Sequence, residues 1–259
     1  MLKALHVAFA IAATMVVLVS HSIVSAQATE VDLLLVLAAD VSRSIDQRQF
    51  NLQRDGYAAA ISDPRVVQAI RSGRLGRIAA CYIEWSGSIS QKLLIDWTLI
   101  DDASSARRFA SQLAEAPRSF DDLTSISAAI DFAVAQIERA PFDVKRRVID
   151  ISGDGDDNIG RPVADARDDA ITKGVTINGI VVLNDNAPLE DGVGQPANEP
   201  EQYYRDNVIG GAGAFVLAAR NFSTFGDAIL QKLILEIASR PLTRTTANLI
   251  RGGGRSTDR

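Results

Sequence analysis

The chain has 259 residues and a formal net charge of −5, and 47% of its residues are hydrophobic, a composition typical of a folded globular protein. The acidic balance argues against nucleic acid as a partner. Both histidines, His6 and His21, lie near the start, and the single cysteine, Cys81, excludes an intramolecular disulfide bond.

The first 26 residues have the pattern of a secretory signal peptide. Residues 1–3 form a short basic start, residues 4–19 are almost wholly apolar, and Val24 and Ala26 suit a signal peptidase site. The apolar run is shorter than the roughly 20 residues that span a membrane. We expect a cleaved leader at 1–26, with an uncleaved anchor as the alternative. The mature protein would then be exported, either periplasmic or secreted, with no membrane span.

Loss of this leader would remove both histidines from the protein. A Ser-His-Asp triad, a Cys-His pair and any zinc or copper site that needs imidazole are then excluded.

Predicted strands and helices alternate along the rest of the chain. Continuous apolar runs, typical of strands buried on both faces of a parallel sheet, occupy residues 31–39, 147–152, 175–183 and 214–218. Residues 77–85 and 92–97 flank Ser86-Gly87-Ser88 and predict a hairpin, which makes one edge strand antiparallel. Amphipathic patterns predict helices at residues 46–61, 103–115, 124–139, 163–173 and 222–237, the last with Ser223 as N-cap.

This alternation predicts an α/β fold: a doubly wound, mostly parallel central sheet with one antiparallel edge strand and helices on both faces. We expect one domain over residues 27–239, because no interdomain linker is visible. Within it, residues 184–207 are polar and predict an insertion loop, and the Arg-rich residues 240–259 predict a disordered tail.

A cluster of oxygen-bearing side chains follows the first buried strand, in Asp40-Val41-Ser42-Arg43-Ser44. Ligands of open α/β sheets bind at the carboxyl ends of the strands. One carboxylate and two hydroxyls at this spacing can converge on a hard cation such as Mg²⁺, which prefers oxygen ligands.

Two further residues are expected at the same edge of the sheet. Thr124 precedes a predicted helix, and Asp154 follows the strand at 147–152, between Gly153 and Gly155. We expect these glycines to let the backbone turn sharply. The parallel sheet therefore predicts one rim that carries Asp40, Ser42, Ser44, Thr124 and Asp154.

These segments resemble the metal-ion-dependent adhesion site (MIDAS) of the von Willebrand factor A (VWA) family, also seen in integrin inserted domains. That site has D-x-S-x-S after the first strand, a threonine before a middle helix, and an aspartate in a T-D-G-like turn after the fourth strand. The resemblance covers residues 31–238 and extends to a poorly characterised group of exported bacterial VWA-like proteins. It implies a divalent cation, Mg²⁺ or else Mn²⁺ or Ca²⁺, that the serines and the threonine contact directly. One or both aspartates would act partly through water.

The last part of the motif departs from the family pattern. Ser152-Gly153 stands in place of the usual threonine-type residue, and Asp156 and Asp157 make the turn unusually acidic. Extra carboxylates would favour Ca²⁺. Alternatively, Asp156-Asp157-Asn158 caps the helix that follows it.

The predicted site is suited to binding, because a cation held mainly by neutral hydroxyls stays electrophilic and can accept a carboxylate from a protein partner. Residues 86–91, 118–123 and 184–207 would then select that partner. Tyr203 and Tyr204 in the last of these segments either anchor the partner or pack the base of the loop.

Two other functions stay open: a Mg-dependent phosphoryl-transfer or hydrolytic enzyme, and a structural scaffold without metal. Ser42 replaces the second aspartate of a D-x-D nucleophile motif, and the chain has no G-x-x-x-x-G-K-[ST] and no G-x-S-x-G. We therefore expect a binding protein with no catalytic residues.

Overall fold

The computed structural model describes residues 28–120, 122–183 and 199–238. Its strands are β1 (Thr29–Glu30), β2 (Leu34–Asp40), β3 (Ile78–Trp85), β4 (Gln91–Ile100), β5 (Phe142–Asp143), β6 (Arg147–Gly153), β7 (Val175–Val182) and β8 (Val216–Ala219). Six of them form one sheet in the order β4-β3-β2-β6-β7-β8, while β1 and β5 form a separate short pair. The predicted leader at 1–26 and tail at 240–259 lie outside the described residues.

All neighbouring strands of the six-stranded sheet run parallel except the edge pair β3 and β4, which is antiparallel. Every residue of β2 and β3 is buried, including Cys81, because helices cover both faces of the sheet. The predicted doubly wound fold with one antiparallel edge strand is confirmed.

The helices form one layer on each face. On one face lie α1 (Gln47–Ser62), α2 (Pro64–Arg71), α3 (Ala103–Glu115) and α7 (Phe225–Ala238), and on the other α4 (Ile126–Glu138) and α5 (Val163–Thr172). The second face also carries the short helix α6 (Glu199–Tyr203), which continues into a π-helical turn at Tyr204–Val208. No helix in these described parts of the chain is long and apolar enough to cross a membrane.

Three local predictions were wrong or incomplete. Helix α2 was not predicted, because its eight residues are too few to show a clear period. Helix α7 begins later than predicted, after a 3₁₀ turn at Phe222–Thr224 whose N-cap is Asn221 rather than Ser223. Part of the predicted insertion loop, residues 199–207, is helical, and residues 184–198 lie outside the described residues.

Candidate metal centre

The D-x-S-x-S segment curls back on itself where β2 ends. Asp40 is the last residue of β2, and its Oδ1 accepts a hydrogen bond of 2.7 Å from the backbone N–H of Ser42. This side-chain-to-backbone turn brings the Ser42 and Ser44 hydroxyls to 3.1 Å from each other. Asp40 and Ser42 are buried, whereas Ser44 is exposed. We refer to this curl, from the buried Asp40 to the exposed Ser44, as the pocket.

Asp154 reaches this pocket from the neighbouring strand. The Ser44 hydroxyl donates a hydrogen bond of 2.8 Å to Asp154 Oδ1, across 110 residues of sequence. The contact arises because β2 and β6 are adjacent and parallel, with Ala39 opposite Ser152, so that their carboxyl ends coincide. Four of the five predicted residues are thus joined by one chain of hydrogen bonds.

Thr124 is positioned through its backbone. Its N–H donates to Asn158 Oδ1 and its carbonyl accepts from the Asn158 N–H, both at 3.0 Å. Two residues earlier, the carbonyl of Asp122 accepts a 2.8 Å hydrogen bond from the N–H of Arg43. The loop that carries Thr124 therefore touches both the D-x-S-x-S segment and the acidic turn. Metal ligation by the Thr124 hydroxyl stays a prediction.

The acidic turn caps a different helix from the one expected. Asp157 Oδ1 accepts a 2.6 Å hydrogen bond from the N–H of Ile126, the first residue of α4, which precedes the turn by about thirty residues. Helix α5, which follows the turn, begins at Val163, and its N-cap residue, Pro162, makes no side-chain cap hydrogen bond. Asp157 and Asn158 thus hold the start of α4 beside the pocket.

The extra aspartates do not build a carboxylate cage. Among the described residues, no three His, Cys, Asp or Glu side chains are grouped so that they could hold a metal ion. The candidate donor set contains two carboxylates plus hydroxyls, and within the described residues the acidic turn adds no cluster of the kind that would favour Ca²⁺.

The two glycines of the turn do not supply a left-handed backbone, so the predicted reason for them was wrong, and only Gly153 is required for space. Neither Gly153 nor Gly155 has a positive φ. A β-carbon on Gly153 would lie 2.4 Å from the Tyr204 hydroxyl oxygen and 3.2 Å from Asp40 Oδ2, whereas one on Gly155 would meet nothing within 4 Å. Gly153 is therefore required by close packing around the pocket.

Several supporting side chains were missed in the sequence. The Arg118 guanidinium donates to the carbonyls of Val41 and Ser42, at 2.8 and 3.0 Å, and Gln53 Nε2 donates to the Asp40 carbonyl at 2.8 Å. A buried ion pair between Arg54 and Glu84 lies beside these contacts. No local pattern marked these residues, because most of their partners are backbone carbonyls of distant loops.

The electrostatics of the pocket suit a divalent cation. Burial, and then the nearby Asp154, raise the pKa of Asp40 to about 8, against the Ser42 hydrogen bonds and the Arg118 charge. Burial also raises the pKa of Asp154. Asp40 Oδ2 is buried and has no hydrogen-bond partner. Two neighbouring carboxylates, one of them fully buried, beside two touching hydroxyls form a donor set that fits a hard cation.

Comparison with protein families gives a match over most of the chain. Residues 30–241 match a family described as "Protein of unknown function (DUF1194)". No curated protein shows significant sequence similarity to the chain.

Solved structures similar in fold include those of a mussel protein, a pilus adhesin and a von Willebrand factor type A protein. Proximal thread matrix protein 1 from the mussel byssus, solved with a zinc-occupied MIDAS motif, is 18% identical, with a TM-score of 0.54 over 81% of this chain and 48% of that one. The pilus adhesin SpaC from Lactobacillus rhamnosus GG is 12% identical, with a TM-score of 0.55 over 80% of this chain and 31% of that one. A von Willebrand factor type A protein from Catenulispora acidiphila is 12% identical, with a TM-score of 0.53 over 80% of this chain and 43% of that one.

These likenesses establish a VWA-like fold, as the resemblance implied. This chain spans less than half the length of each of the three proteins. At identities this low, similarity extends to the fold alone.

Proposed function

Since the chain belongs to the DUF1194 family and has a VWA-like fold, we propose that it is a binding protein that holds one divalent cation and captures a protein partner through it. The proposed ligand set is Asp40, Ser42, Ser44, Thr124 and Asp154. The observation that carries this proposal is the hydrogen bond between Ser44 and Asp154, which unites two segments 110 residues apart beside the unpartnered carboxylate oxygen of Asp40.

The chemistry of the donor set favours binding over reaction. Two carboxylates offset the double charge of the cation, and the hydroxyls are neutral ligands that leave it electrophilic. A carboxylate of the partner then completes the coordination shell. Mg²⁺ is the first candidate because it prefers oxygen ligands, with Mn²⁺ and Ca²⁺ as alternatives. The zinc found in the MIDAS motif of the mussel protein supports a divalent cation here.

An apolar rim around the pocket supports a protein partner. Four large hydrophobic side chains are exposed among the described residues, and Ile89, Leu123 and Ile159 lie in the loops beside the pocket. These loops are connected, since Ser90 Oγ donates to Asp122 Oδ2 at 3.2 Å and Thr124 pairs with Asn158. Exposed apolar side chains around a polar centre are typical of interaction sites. The partner should therefore present a carboxylate flanked by apolar residues.

No observation favours the alternative functions. The chain has no histidine, the commonest general base, after residue 21, which fits a role without catalysis. We include export in the proposal, with a periplasmic or secreted location, on the strength of the predicted signal peptide.

Calorimetric titration of the full chain with Mg²⁺, Mn²⁺ and Ca²⁺ tests the proposal. We expect wild-type protein to bind at least one cation, and Asp40→Ala to lose at least tenfold in affinity. Asp55→Ala is the matched control, because it removes the same charge from an exposed position on α1. The absence of both binding heat and thermal stabilisation with all three cations would favour the scaffold function. A cation-dependent pull-down from the native envelope, compared with Asp40→Ala, then tests the partner.

A further inference from the structure

The hydroxyl of Tyr204 lies against the candidate metal pocket without a hydrogen-bond partner. Tyr204 is 0% exposed, and its hydroxyl, like Asp40 Oδ2, is buried and unpartnered. Both oxygens lie near Gly153, since a β-carbon added there would lie 2.4 Å from the Tyr204 hydroxyl and 3.2 Å from Asp40 Oδ2. They do not hydrogen-bond to each other.

A buried hydroxyl without a partner is energetically costly, whereas a phenylalanine ring would fill the same space without that cost. Two such oxygens that face the same space can both be satisfied by one water molecule between them. The buried, unpartnered hydroxyl therefore indicates that Tyr204 does more than pack the base of the loop.

The surrounding backbone is shaped to admit this ring. Besides Gly153 on β6, Gly179 on the adjacent strand β7 makes room for it, since a β-carbon there would lie 2.8 Å from Tyr204 Cδ1. Tyr204 also begins the π-helical turn Tyr204–Val208, a rare geometry that is frequent at functional sites. The preceding Tyr203 hydroxyl accepts a hydrogen bond of 3.4 Å from the N–H of Asp157, which fastens the same segment to the acidic turn.

We infer that Tyr204 is a positioning residue of the metal site, whose hydroxyl would donate a hydrogen bond to a water molecule shared with Asp40 Oδ2 when the site holds a cation. The inference rests on the proposed function. It adds a sixth residue to the five-residue set. Because Tyr204 lies on the segment 199–208, the conformation of that segment would then depend on whether the cation is bound.

The test compares two substitutions that each remove one buried, unpartnered phenol oxygen. Tyr204→Phe should weaken cation affinity by about threefold to tenfold, the worth of one hydrogen bond, while thermal stability without cation stays equal or rises. Tyr82→Phe is the control, because its hydroxyl is equally buried and unpartnered but lies in the core on the opposite face of the sheet. Tyr82→Phe should leave the cation affinity unchanged. Calorimetric titration with Mg²⁺ and Mn²⁺ measures both.

A spectroscopic measurement covers the case in which Tyr204→Phe does not fold. Saturating cation should change the ultraviolet absorption of tyrosine in wild-type protein, and in folded Tyr204→Phe that difference should shrink. Equal affinities for wild type and Tyr204→Phe, or no tyrosine difference spectrum in wild type, would overturn the inference and leave the proposed function standing. No cation binding by wild type would overturn both.

Discussion

Replacing Gly153, the last residue of β6, by alanine should disturb the candidate metal site. The added β-carbon would lie 2.4 Å from the Tyr204 hydroxyl oxygen and 3.2 Å from Asp40 Oδ2. The first distance is far inside van der Waals contact, and the fully buried Tyr204 ring is enclosed by the packed core around β7. Either the ring or the strand must move.

We expect Gly153→Ala to lower the free energy of unfolding by about 1–3 kcal/mol, which is the typical cost of overpacking a core. Removal of the Tyr204 hydroxyl should relieve most of this loss of stability. The nearest ring atom, Cζ, would lie 3.6 Å from the added β-carbon, which is an ordinary contact. The 3.2 Å approach to Asp40 Oδ2 then remains. We expect a coupling free energy of about 1–2 kcal/mol between Gly153→Ala and Tyr204→Phe.

The assay is a double-mutant cycle in chemical denaturation, with cation affinity measured on the same four proteins. Gly155→Ala is the matched control, because its β-carbon would meet nothing within 4 Å and its φ is not positive. That control should leave stability and affinity close to wild type. If Gly153→Ala costs as much in the Tyr204→Phe background as in wild type, the steric argument is refuted.

Substitutions at three further positions test separate parts of the structure. Thr124→Ala should lower cation affinity about tenfold in calorimetry and leave the fold intact, whereas Thr124→Ser should retain most of the affinity. Burial, and then Glu236, raise the pKa of Asp150 to about 7 against the opposing charge and hydrogen bond of its ion-pair partner Lys232, so this group stabilises the fold at low pH and loses that contribution as pH rises from about 4 through 7. Asp150→Asn should remove that loss, and its melting temperature relative to wild type should rise over the same interval. Ile89→Ser should weaken capture of the envelope partner without change in cation affinity or stability, because Ile89 is 93% exposed.

Each of the predictions for Thr124, Asp150 and Ile89 has an outcome that would contradict it. Global unfolding of Thr124→Ala would show that the residue chiefly supports the start of α4. A melting-temperature difference between Asp150→Asn and wild type that is independent of pH would show that Asp150 does not titrate in this range. Leu235→Ser, at the exposed hydrophobic position on α7, is the control for Ile89, and equal loss of partner capture by both would remove the argument for the rim.

Local patterns predicted the fold well, because each buried strand and amphipathic helix carries its period in a short stretch of chain. The predicted bounds of α3 match the observed Ala103–Glu115, and the hairpin of β3 and β4 lies where Ser86-Gly87-Ser88 indicated. The predictions failed where a residue's partner is distant. Asp157 caps α4 rather than α5, and the reason for Gly153 was wrong because Tyr204 is about fifty residues away.

The sequence by itself determined the order of strands and helices, and with it the edge of the sheet at which Asp40, Ser42 and Ser44 emerge. Only the tertiary structure decided which side chains meet there, such as Asp154 at Ser44 and the Tyr204 hydroxyl beside Gly153. Periodicity reports which face of an element is buried. It carries no information on the atoms that other elements bring to that face, because those contacts form only when the layers pack.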